Sequence, residues 1–252
     1  MLQVDHLTLR FEGLVATNDV SMTIEDHKVT ALIGPNGAGK TTLFNQIAGV
    51  YTPESGHIYL DGEDITGLKP FQVCQKGISR TYQVIKLFSG MSVLDNVMVG
   101  MHSRLHLGFW QDVFHTPKMR RAEKEGLEKA HNLLKLVGLD QYAKYPAGAL
   151  AYGQQRLVEI ARALAAEPKY ILLDEPAAGM NTKEKGDLNN MIRQIIDMGV
   201  TVLLVEHDMS MVMNIADKIY VLNSGKNLAE GTPEEIASNP EVIEAYLGRG
   251  EY

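Results

Sequence analysis

Short apolar runs recur along the chain, and longer segments with helical spacing separate them. A continuous apolar run of about five residues is typical of a strand that is buried on both faces. Strands that alternate with helices pair in parallel, because each crossover helix returns the chain to the same end of the sheet. The pattern therefore predicts an α/β fold. The runs are Val29 to Ile33, Tyr170 to Leu173, Thr201 to Val205 and Lys218 to Leu222.

The N-terminal region carries a different pattern. Met1 to Phe11 alternates apolar and polar residues, as a strand with one buried face does. Gly56 to Leu60 forms a further short run, which ends at the turn signal Asp61-Gly62. These segments predict an antiparallel sheet that flanks the parallel core.

Helical spacing replaces the strand pattern across residues 91–167. From Arg120 to Val137 one face of the predicted helix collects apolar side chains, and a second helix is predicted from Gln154 to Ala166. The apolar residues of the first helix are Ala130, Leu133, Leu134 and Val137.

These patterns together predict one domain with an insertion. Residues 91–166 are expected to form a helical subdomain, inserted into a core that is made of residues 1–90 and 167–252. Near the end of the chain, Thr232 followed by Pro233 predicts the start of a short helix, with threonine as its N-cap.

Composition narrows the possible functions. The 252 residues include 24 Lys and Arg against 31 Asp and Glu, so the formal net charge is −7, which argues against nucleic acid as a partner. A single cysteine, Cys74, excludes an intramolecular disulfide and suits a reducing cytosol. No apolar run approaches the roughly 18 residues that span a bilayer, so any membrane role is expected to come through a partner.

A phosphate-binding pattern follows the first buried strand. Residues 34–41 read GPNGAGKT, which fits G-x-x-x-x-G-K-[ST] between a strand and a helix. The glycines let backbone N–H groups face phosphate oxygens, Lys40 reaches the β- and γ-phosphates, and Thr41 ligates Mg²⁺. This predicts a P-loop NTPase core with a site for a nucleoside triphosphate and Mg²⁺. The residues assigned to nucleotide binding here are Asn36, Gly37, Ala38, Gly39, Lys40, Thr41 and Thr42.

Two acids end the buried strand that starts at Tyr170. Acids at the end of a strand are often only loop residues, but after a phosphate loop in an α/β chain a functional role is favoured. Asp174 is expected to hold the Mg²⁺ ion, and Glu175 is expected to orient or deprotonate the attacking water.

The peptide at residues 150–156 reads LAYGQQR. It resembles the signature peptide of ATP-binding-cassette ATPases, usually written L-S-G-G-Q. That resemblance implies a head-to-tail dimer with two nucleotides between the subunits, and the signature peptide completes the site of the opposite subunit. Ala151 lacks the usual hydroxyl and Tyr152 replaces a glycine, whereas Gly153 and Gln154 match. The two departures are interpreted either as a weaker completed site or as tolerated variation.

The same resemblance assigns roles to isolated residues. Gln83 resembles the hinge glutamine that contacts Mg²⁺ or the attacking water, and His207 resembles the switch histidine that hydrogen-bonds the γ-phosphate. Phe11 stands where the family has an aromatic residue that stacks on adenine, although packing in the core is an alternative. Asn181 stands where most relatives have aspartate in the loop that crosses the dimer interface.

The resemblance runs through nearly the whole chain and is closest to the larger ATP-binding subunit of bacterial branched-chain amino acid importers. It implies import of leucine, isoleucine or valine, with a second, non-identical ATP-binding subunit, two permease subunits and an external amino acid-binding protein. It also implies a peripheral location on the cytoplasmic face of the inner membrane. The peptides that carry it are RTYQ at 80–83, the Ala-Tyr signature variant, EPAAGMN at 175–181, the insert 101–126 and EAYLG at 244–248.

The resemblance also implies that contacts with the membrane subunits lie around Tyr82 to Met91, where an apolar groove could hold a short helix. The groove residues are Val84, Leu87, Phe88 and Met91. In the insert, apolar residues at helical spacing, with Lys118, Arg120 and Arg121 beyond them, dock a partner, lie near lipid headgroups or pack in the core. The apolar residues are Phe109, Trp110, Val113 and Phe114.

Alternative functions stay open at this point. The ATPase of a lipid or lipopolysaccharide exporter has a cassette of similar length and motifs. A non-transport cassette ATPase that works on DNA or ribosomes shares the nucleotide motifs, but such proteins usually carry duplicated cassettes, coiled coils or basic arms. A P-loop GTPase is excluded, because the chain has no N-K-x-D peptide for guanine.

Overall fold

The computed structural model describes residues 1–101 and 117–247, and its ten described strands form two sheets. Six of the strands lie before the helical region and four after it. The strands are β1 (Leu2–Phe11), β2 (Leu14–Ile24), β3 (Val29–Ile33), β4 (Ser55–Leu60), β5 (Glu63–Asp64), β6 (Ile78–Arg80), β7 (Tyr170–Asp174), β8 (Thr201–Val205), β9 (Lys218–Asn223) and β10 (Lys226–Gly231).

The larger sheet has the strand order β10-β9-β3-β8-β7-β6. Neighbouring strands from β9 to β6 pair in parallel, and only β10 is antiparallel to its neighbour. All five residues of β3, β7 and β8 are buried, which matches the continuous apolar runs of the sequence. The carboxyl ends of these three central strands therefore meet at one edge of the sheet.

The smaller sheet is antiparallel, with the order β2-β1-β4-β5. Leu2 pairs with Ile24 on one side and with Leu60 on the other, so the first strand is central. Its buried side chains join those of the helix Lys40–Ile47 and of the larger sheet in one apolar cluster, which includes Phe44 and Leu172. The small sheet thus covers one face of the large sheet, as the N-terminal pattern predicted.

Nine helices are described in the two ranges, and most of them cover the faces of the large sheet. A second large cluster, which includes Ile160 and Ile192, packs helices against the opposite face of that sheet. The helices are α1 (Lys40–Ile47), α2 (Pro70–Gln75), α3 (Val93–Gly100), α4 (Pro117–Leu136), α5 (Tyr152–Ala165), α6 (Thr182–Asp197), α7 (Met209–Ile215), α8 (Pro233–Ala237) and α9 (Pro240–Leu247).

Between β6 and β7 the described chain contains α3, α4 and α5, two 3₁₀ turns (Asp140–Tyr142 and Ala147–Ala149) and one isolated β-bridge, but no strand. The four apolar residues predicted for one face of α4 are all buried. The aromatic and apolar insert residues Phe109, Trp110, Val113 and Phe114 lie outside the described residues. No helix of the described ranges is long and apolar enough to cross a membrane.

Four strands were not predicted: β2, β5, β6 and β10. β2 and β5 lie at the two edges of the small sheet, and β5 is only two residues long. β6 is only three residues long, too short for a periodic pattern. β10 reads KNLAEG and lies at the edge of the sheet, where half-exposed polar residues are tolerated and leave no apolar signal. The predicted cap at Thr232 is confirmed, because its side chain accepts from the N–H of Glu235 at the start of α8.

Candidate nucleotide-binding site

The loop between β3 and α1 carries the phosphate-binding pattern. Gly34 has φ 149° and Gly39 has φ 98°, and both values favour glycine. A Cβ atom on Gly34 would lie 2.1 Å from the carbonyl oxygen of Leu222, and one on Gly39 would lie 2.3 Å from that of Ala16. Both positions therefore require glycine, because the loop packs directly against neighbouring backbone.

Lys40 is the first residue of α1, directly after this loop. Its Nζ donates to the carbonyl oxygens of Gly34 at 2.7 Å and Pro35 at 3.0 Å. Burial lowers the pKa of Lys40, whereas the carboxylates of Glu175 and Asp174 act to raise it. The ammonium thus lies over the loop and near the acids at the end of β7, where it can contact phosphate oxygens held by the loop amides.

Asp174 is the last residue of β7, and its carboxylate is buried. Burial raises the pKa of Asp174, and the guanidinium of Arg80, 3.3 Å away on β6, opposes that rise. Arg80 also donates to Oδ1 of Asn45 on α1 at 2.7 Å. One guanidinium therefore connects the acid at the end of β7 to the helix that follows the phosphate loop.

Glu175 follows with φ 48°, a left-handed backbone conformation that is uncommon for glutamate. Such a conformation costs about 1–3 kcal/mol and tends to occur at functional sites. The carboxylate lies 2.8 Å from Nε2 of His207, and it accepts from Nε2 of Gln83 at 3.3 Å. The turn after β7 thus directs Glu175 toward the two residues that sequence resemblance alone had singled out.

These groups share one open pocket of about 360 Å³ at the carboxyl edge of the large sheet. Every residue predicted to bind nucleotide lies on its wall, together with Gln83, Glu175 and His207, whereas Asp174 does not. The wall residues are Phe11, Leu14, Val15, Ala16, Asn36, Gly37, Ala38, Gly39, Lys40, Thr41, Thr42, Gln83, Glu175 and His207.

Phe11 stands at the outer wall of this pocket. Its side chain is 40% exposed, so it is a pocket residue and not a core residue. The ring packs edge-to-face against Tyr51, with the ring centroids 5.2 Å apart. Tyr51 thereby supports Phe11, whose free face is available for stacking on a flat ring.

The donors predicted for a metal ion are all oxygen atoms: the hydroxyl of Thr41, the amide carbonyl of Gln83 and the carboxylate of Asp174. Hard oxygen donors of this kind suit Mg²⁺, which is usually held by one or two carboxylates together with water and phosphate. Within the described residues, no group of three or more His, Cys, Asp or Glu side chains is placed to hold a metal ion. The donor set therefore fits an ion that shares its ligands with phosphate.

Comparisons with known proteins agree with this geometry. Residues 17–178 match the family model described as ABC transporter, and residues 226–252 match one described as branched-chain amino acid ATP-binding cassette transporter. The first match covers well over half of the chain. The chain belongs to the ABC transporter family.

Relatives cover almost the whole chain. The "High-affinity branched-chain amino acid transport ATP-binding protein BraF" of Pseudomonas aeruginosa is 49% identical and LivG of Escherichia coli, which carries the same description, is 45% identical; each match covers 98% of both chains. LptB of Haemophilus influenzae, the "lipopolysaccharide export system ATP-binding protein", is 34% identical over 98% of this chain and 97% of its own.

Solved structures of ABC cassettes have the same fold. A nucleotide-free ATP-binding cassette superposes with a TM-score of 0.86 at 33% identity, covering 98% of this chain and 99% of that one. The ADP conformation of the cassette MJ1267 superposes with a TM-score of 0.86 at 34% identity, covering 98% of both chains. The P-loop NTPase architecture predicted from the motif pattern is thereby confirmed.

The signature peptide of this ABC chain lies away from the pocket. Ala151 is the N-cap of α5, and it offers no side-chain oxygen to the first turn. Oε1 of Gln154 instead accepts from the N–H of Ala151 at 3.2 Å. Tyr152 is 52% exposed, and Gly153 lines a separate pocket. The structure therefore does not bring Ala151, Tyr152, Gly153 or Gln154 to this chain's own nucleotide pocket.

The loop before α6 is organised by capping. Oδ1 of Asn181 accepts from the N–H of Glu184 at 3.1 Å, and the carboxylate of Glu184 accepts from the N–H of Asn181 at 2.8 Å. This reciprocal capping box can be formed by asparagine as well as by aspartate. The buried carboxylate of Glu206 accepts from the N–H groups of Ala177 at 2.8 Å and His207 at 3.1 Å, and so ties this loop to His207.

Several buried charges around the ABC site were not assigned a role from sequence. Arg80, Arg156, Glu159 and Glu206 are all almost fully buried. The signal that was available is a charged side chain at a position that should be apolar: Glu206 directly continues a buried strand, and Arg156 and Glu159 alternate with core residues of α5. Buried charges are paired, and their partners here are the loops of the site.

Proposed function

We propose that this chain hydrolyses ATP and thereby powers the import of branched-chain amino acids, namely leucine, isoleucine and valine, through separate membrane subunits. The observation that carries the proposal is the convergence of Lys40, Gln83, Glu175 and His207 on the pocket built by the phosphate loop. The substrate class rests on the similarity to BraF and LivG over the whole chain and on the C-terminal family match.

Each of these residues has a step in the proposed hydrolysis. Loop amides and Lys40 hold the β- and γ-phosphates and neutralise charge that develops on the γ-phosphoryl group. Glu175 accepts the proton of the attacking water as general base, and Gln83 holds the carboxylate in place through its 3.3 Å hydrogen bond. His207, 2.8 Å from the same carboxylate, donates to the γ-phosphate and senses its loss. Phe11 stacks on adenine.

Mg²⁺ fits the oxygen donors of Thr41, Gln83 and Asp174, and when bound it neutralises the phosphate oxygens and orients the γ-phosphoryl group. Asp174 is held for this role by Arg80 at 3.3 Å. The buried carboxylate is thus oriented before the ion arrives.

Two copies of the cassette, arranged head to tail, complete each site in this proposal. The N-terminus of α5 in one subunit supplies backbone N–H groups of Gly153 and Gln154 to the γ-phosphate in the other subunit. Ala151 supplies no hydroxyl, so the site that it completes has one donor fewer than sites with serine. The second copy is expected to be a non-identical ATP-binding subunit.

The proposed partners also include two permease subunits and, indirectly, an external amino acid-binding protein, which places the chain on the cytoplasmic face of the inner membrane. Residues 91–166 are proposed to act as the helical subdomain. Next to it, Val84 is 71% exposed, Phe88 51% and Met91 36%, whereas Leu87 packs against the core. We assign the permease contact to the three exposed apolar residues, and Val84→Asp with Phe88→Asp should abolish assembly of the complex.

Glu175→Gln tests the catalytic assignment, because it keeps the shape of the side chain and removes the base. Hydrolysis by the variant should fall by about 100-fold or more, whereas ATP with Mg²⁺ should still drive dimerisation, measured by light scattering with the partner subunit. Glu63→Gln, at an exposed ion pair with Lys76, is the matched control and should behave as wild type. Hydrolysis by Glu175→Gln at the wild-type rate would refute the assignment.

Lipopolysaccharide export is the second candidate, favoured by the 34% identity to LptB over nearly the whole chain. Uptake of labelled leucine by membrane vesicles that contain the assembled complex separates the two. Uptake that depends on ATP and is lost in Glu175→Gln supports import. ATP hydrolysis that occurs without any amino acid uptake supports the exporter.

A further inference from the structure

Three residues of α5 lie on one face of that helix, at positions i, i+4 and i+7: Tyr152, Arg156 and Glu159. Arg156 is fully buried and Glu159 is 1% exposed. This face meets the backbone of residues 82 and 83, the loop that carries Gln83 into the nucleotide pocket. A helix that begins at the signature peptide therefore touches the loop of this chain's own site.

Arg156 makes most of these contacts. Its Nη2 donates to the carbonyl oxygen of Gln83 at 2.7 Å, and its Nη1 donates to the carbonyl oxygen of Tyr82. Nη1 also donates to Glu159 at 2.9 Å, and Nη2 donates to the hydroxyl of Tyr152 at 3.3 Å. A planar guanidinium suits this arrangement because it presents several donors in a fixed fork.

Glu159 completes the contact from the other side. Its carboxylate accepts from the backbone N–H of Tyr82 at 3.4 Å, so the pair holds both the donor and the acceptor of one peptide segment. Burial raises the pKa of Glu159, and Arg156 opposes that rise. A buried ion pair adds little to stability compared with apolar residues, and Nε of Arg156 is buried without a hydrogen-bond partner among the described residues. Stability alone does not account for this pair.

The far side of the same loop is held by the nucleotide site. The guanidinium of Arg80, which binds Asp174, lies 4.6 Å from the ring centroid of Tyr82. The side chain of Gln83 donates to Glu175 at 3.3 Å. Gln83 is thus hydrogen-bonded to Glu175 through its side chain and to Arg156 of α5 through its backbone carbonyl.

We propose that Arg156, paired with Glu159, is a positioning residue that fixes Gln83 relative to the signature helix. The start of α5, which faces the partner subunit in the proposed dimer, is thereby tied to the position of Gln83. Tyr152 takes part through its hydroxyl, and its ring lies beside Gly179 of the loop before α6. The tyrosine that replaces the usual glycine in the signature peptide therefore has a structural reason. The inference rests on the proposed ATPase function.

The double variant Arg156→Met with Glu159→Leu removes both members of the buried pair. Arg162, which is 17% exposed and lies 3.9 Å from Glu159, keeps its hydrogen bond to the carbonyl oxygen of Lys86, so the variant should fold. ATP affinity should change by less than about twofold, because the phosphate loop is untouched. The kcat of the assembled complex should fall by about 10- to 100-fold with KM nearly unchanged, since a misplaced group costs rate more than binding. Arg156→Lys keeps the charge but loses the forked set of donors, so its kcat should lie between those of wild type and the double variant.

Arg193→Met is the matched control. Its guanidinium also donates to a backbone carbonyl, that of Asn214 at 3.2 Å, but it lies outside the loop and the pocket. Its kcat and KM should equal those of wild type. A double variant with the wild-type kcat would overturn the proposal. If the double variant does not fold, Tyr152→Phe and Arg156→Lys decide by the same criterion.

Amide hydrogen exchange tests the link without hydrolysis. The amides of residues 82–88 should exchange faster in the double variant than in wild type or Arg193→Met, because the N–H of Tyr82 loses its acceptor. Equal exchange would refute the link. If the wild-type complex hydrolyses no ATP but the exchange difference is present, the proposed function fails and the structural link stands.

Discussion

Two side-chain pairs of nearly equal length show how burial separates two kinds of site in this molecule. In the nucleotide pocket, His207 and Glu175 lie 2.8 Å apart, with side chains 43% and 20% exposed. In the contact between α5 and residues 82–83, which we call the loop junction, Arg156 and Glu159 lie 2.9 Å apart and are each 1% exposed. Water can reach the first pair and a ligand can change its partners. The second pair keeps its partners.

The comparison separates side chains proposed to take part in the chemistry from side chains that hold them in position. Exposed pairs contribute about 0–1 kcal/mol to stability, so a pocket can exchange its contacts at little cost. Breaking a buried pair costs about 3–5 kcal/mol, because one charge is left without a partner. Substitutions in the pocket are therefore expected to lower stability less than substitutions in the loop junction. Substitutions in the pocket should nevertheless abolish activity.

Glu159→Leu alone should give the largest loss of stability, about 3–5 kcal/mol, because Arg156 remains buried without its carboxylate. The double variant with Arg156→Met should recover most of that loss. Urea unfolding of both variants, followed by circular dichroism, measures the difference. Equal stabilities of the single and double variants would mean that the loop junction behaves as an exposed pair does.

Lys40→Ala should give the next largest effect, on the affinity for ATP and not on stability. Charge-assisted hydrogen bonds contribute about 1.5–3 kcal/mol, so the affinity for ATP should fall about 10- to 100-fold. Because the ammonium is bonded only to loop carbonyls, the free energy of unfolding should change little. Titration calorimetry measures the affinity, and Lys28→Ala, at an exposed pair with Glu25, is the control. Undiminished ATP affinity would contradict the role of Lys40.

The two regions also differ in how far sequence could predict them. The phosphate loop is a local pattern between a buried strand and a helix, and its glycines and Lys40 occupy the expected places. Gln83 and His207 carry no local signal, and only resemblance to a family pointed to them. The fold places both beside Glu175.

The loop junction could not be predicted in this way. Arg156 and Glu159 stand among core residues of α5, but nothing near them in the sequence indicates their partner, because the loop that they bind lies more than 70 positions earlier in the chain. Only the packing of α5 against residues 82–83 shows what this face binds. The antiparallel sheet was predicted from alternation, whereas β10 was missed because an edge strand needs no apolar pattern.

His207→Ala should change stability by less than about 1 kcal/mol, because its partner Glu175 stays accessible to water. Hydrolysis by the assembled complex should nevertheless be reduced, since the residue faces the γ-phosphate in the proposed site. Thermal unfolding and ATPase assays on the same preparation separate the two effects. A loss of stability as large as that of Glu159→Leu would remove the distinction between the two regions.

Glu206 sharpens the comparison, because it borders the pocket yet is buried. Its carboxylate accepts hydrogen bonds from the N–H groups of Ala177 and His207, and burial raises its pKa above the ordinary value of 4.5. An acid whose pKa is raised by folding stabilises the fold fully below pH 4.5, and that contribution is lost as pH rises through the folded-state pKa. Glu206→Gln has no such titration.

The stability of wild type relative to Glu206→Gln should therefore decline as pH rises from about 4.5, with a slope of at most about 1.4 kcal/mol per pH unit. Urea unfolding of both proteins at several pH values between about 4.5 and 8 measures this difference. Glu25→Gln is the control, because the hydrogen bond from Lys28 lowers the pKa of Glu25 and its profile should show no such decline. A difference that rises with pH would mean that Glu206 behaves as the exposed acids do. Such a result would contradict the view that burial decides which charged groups hold the site in place.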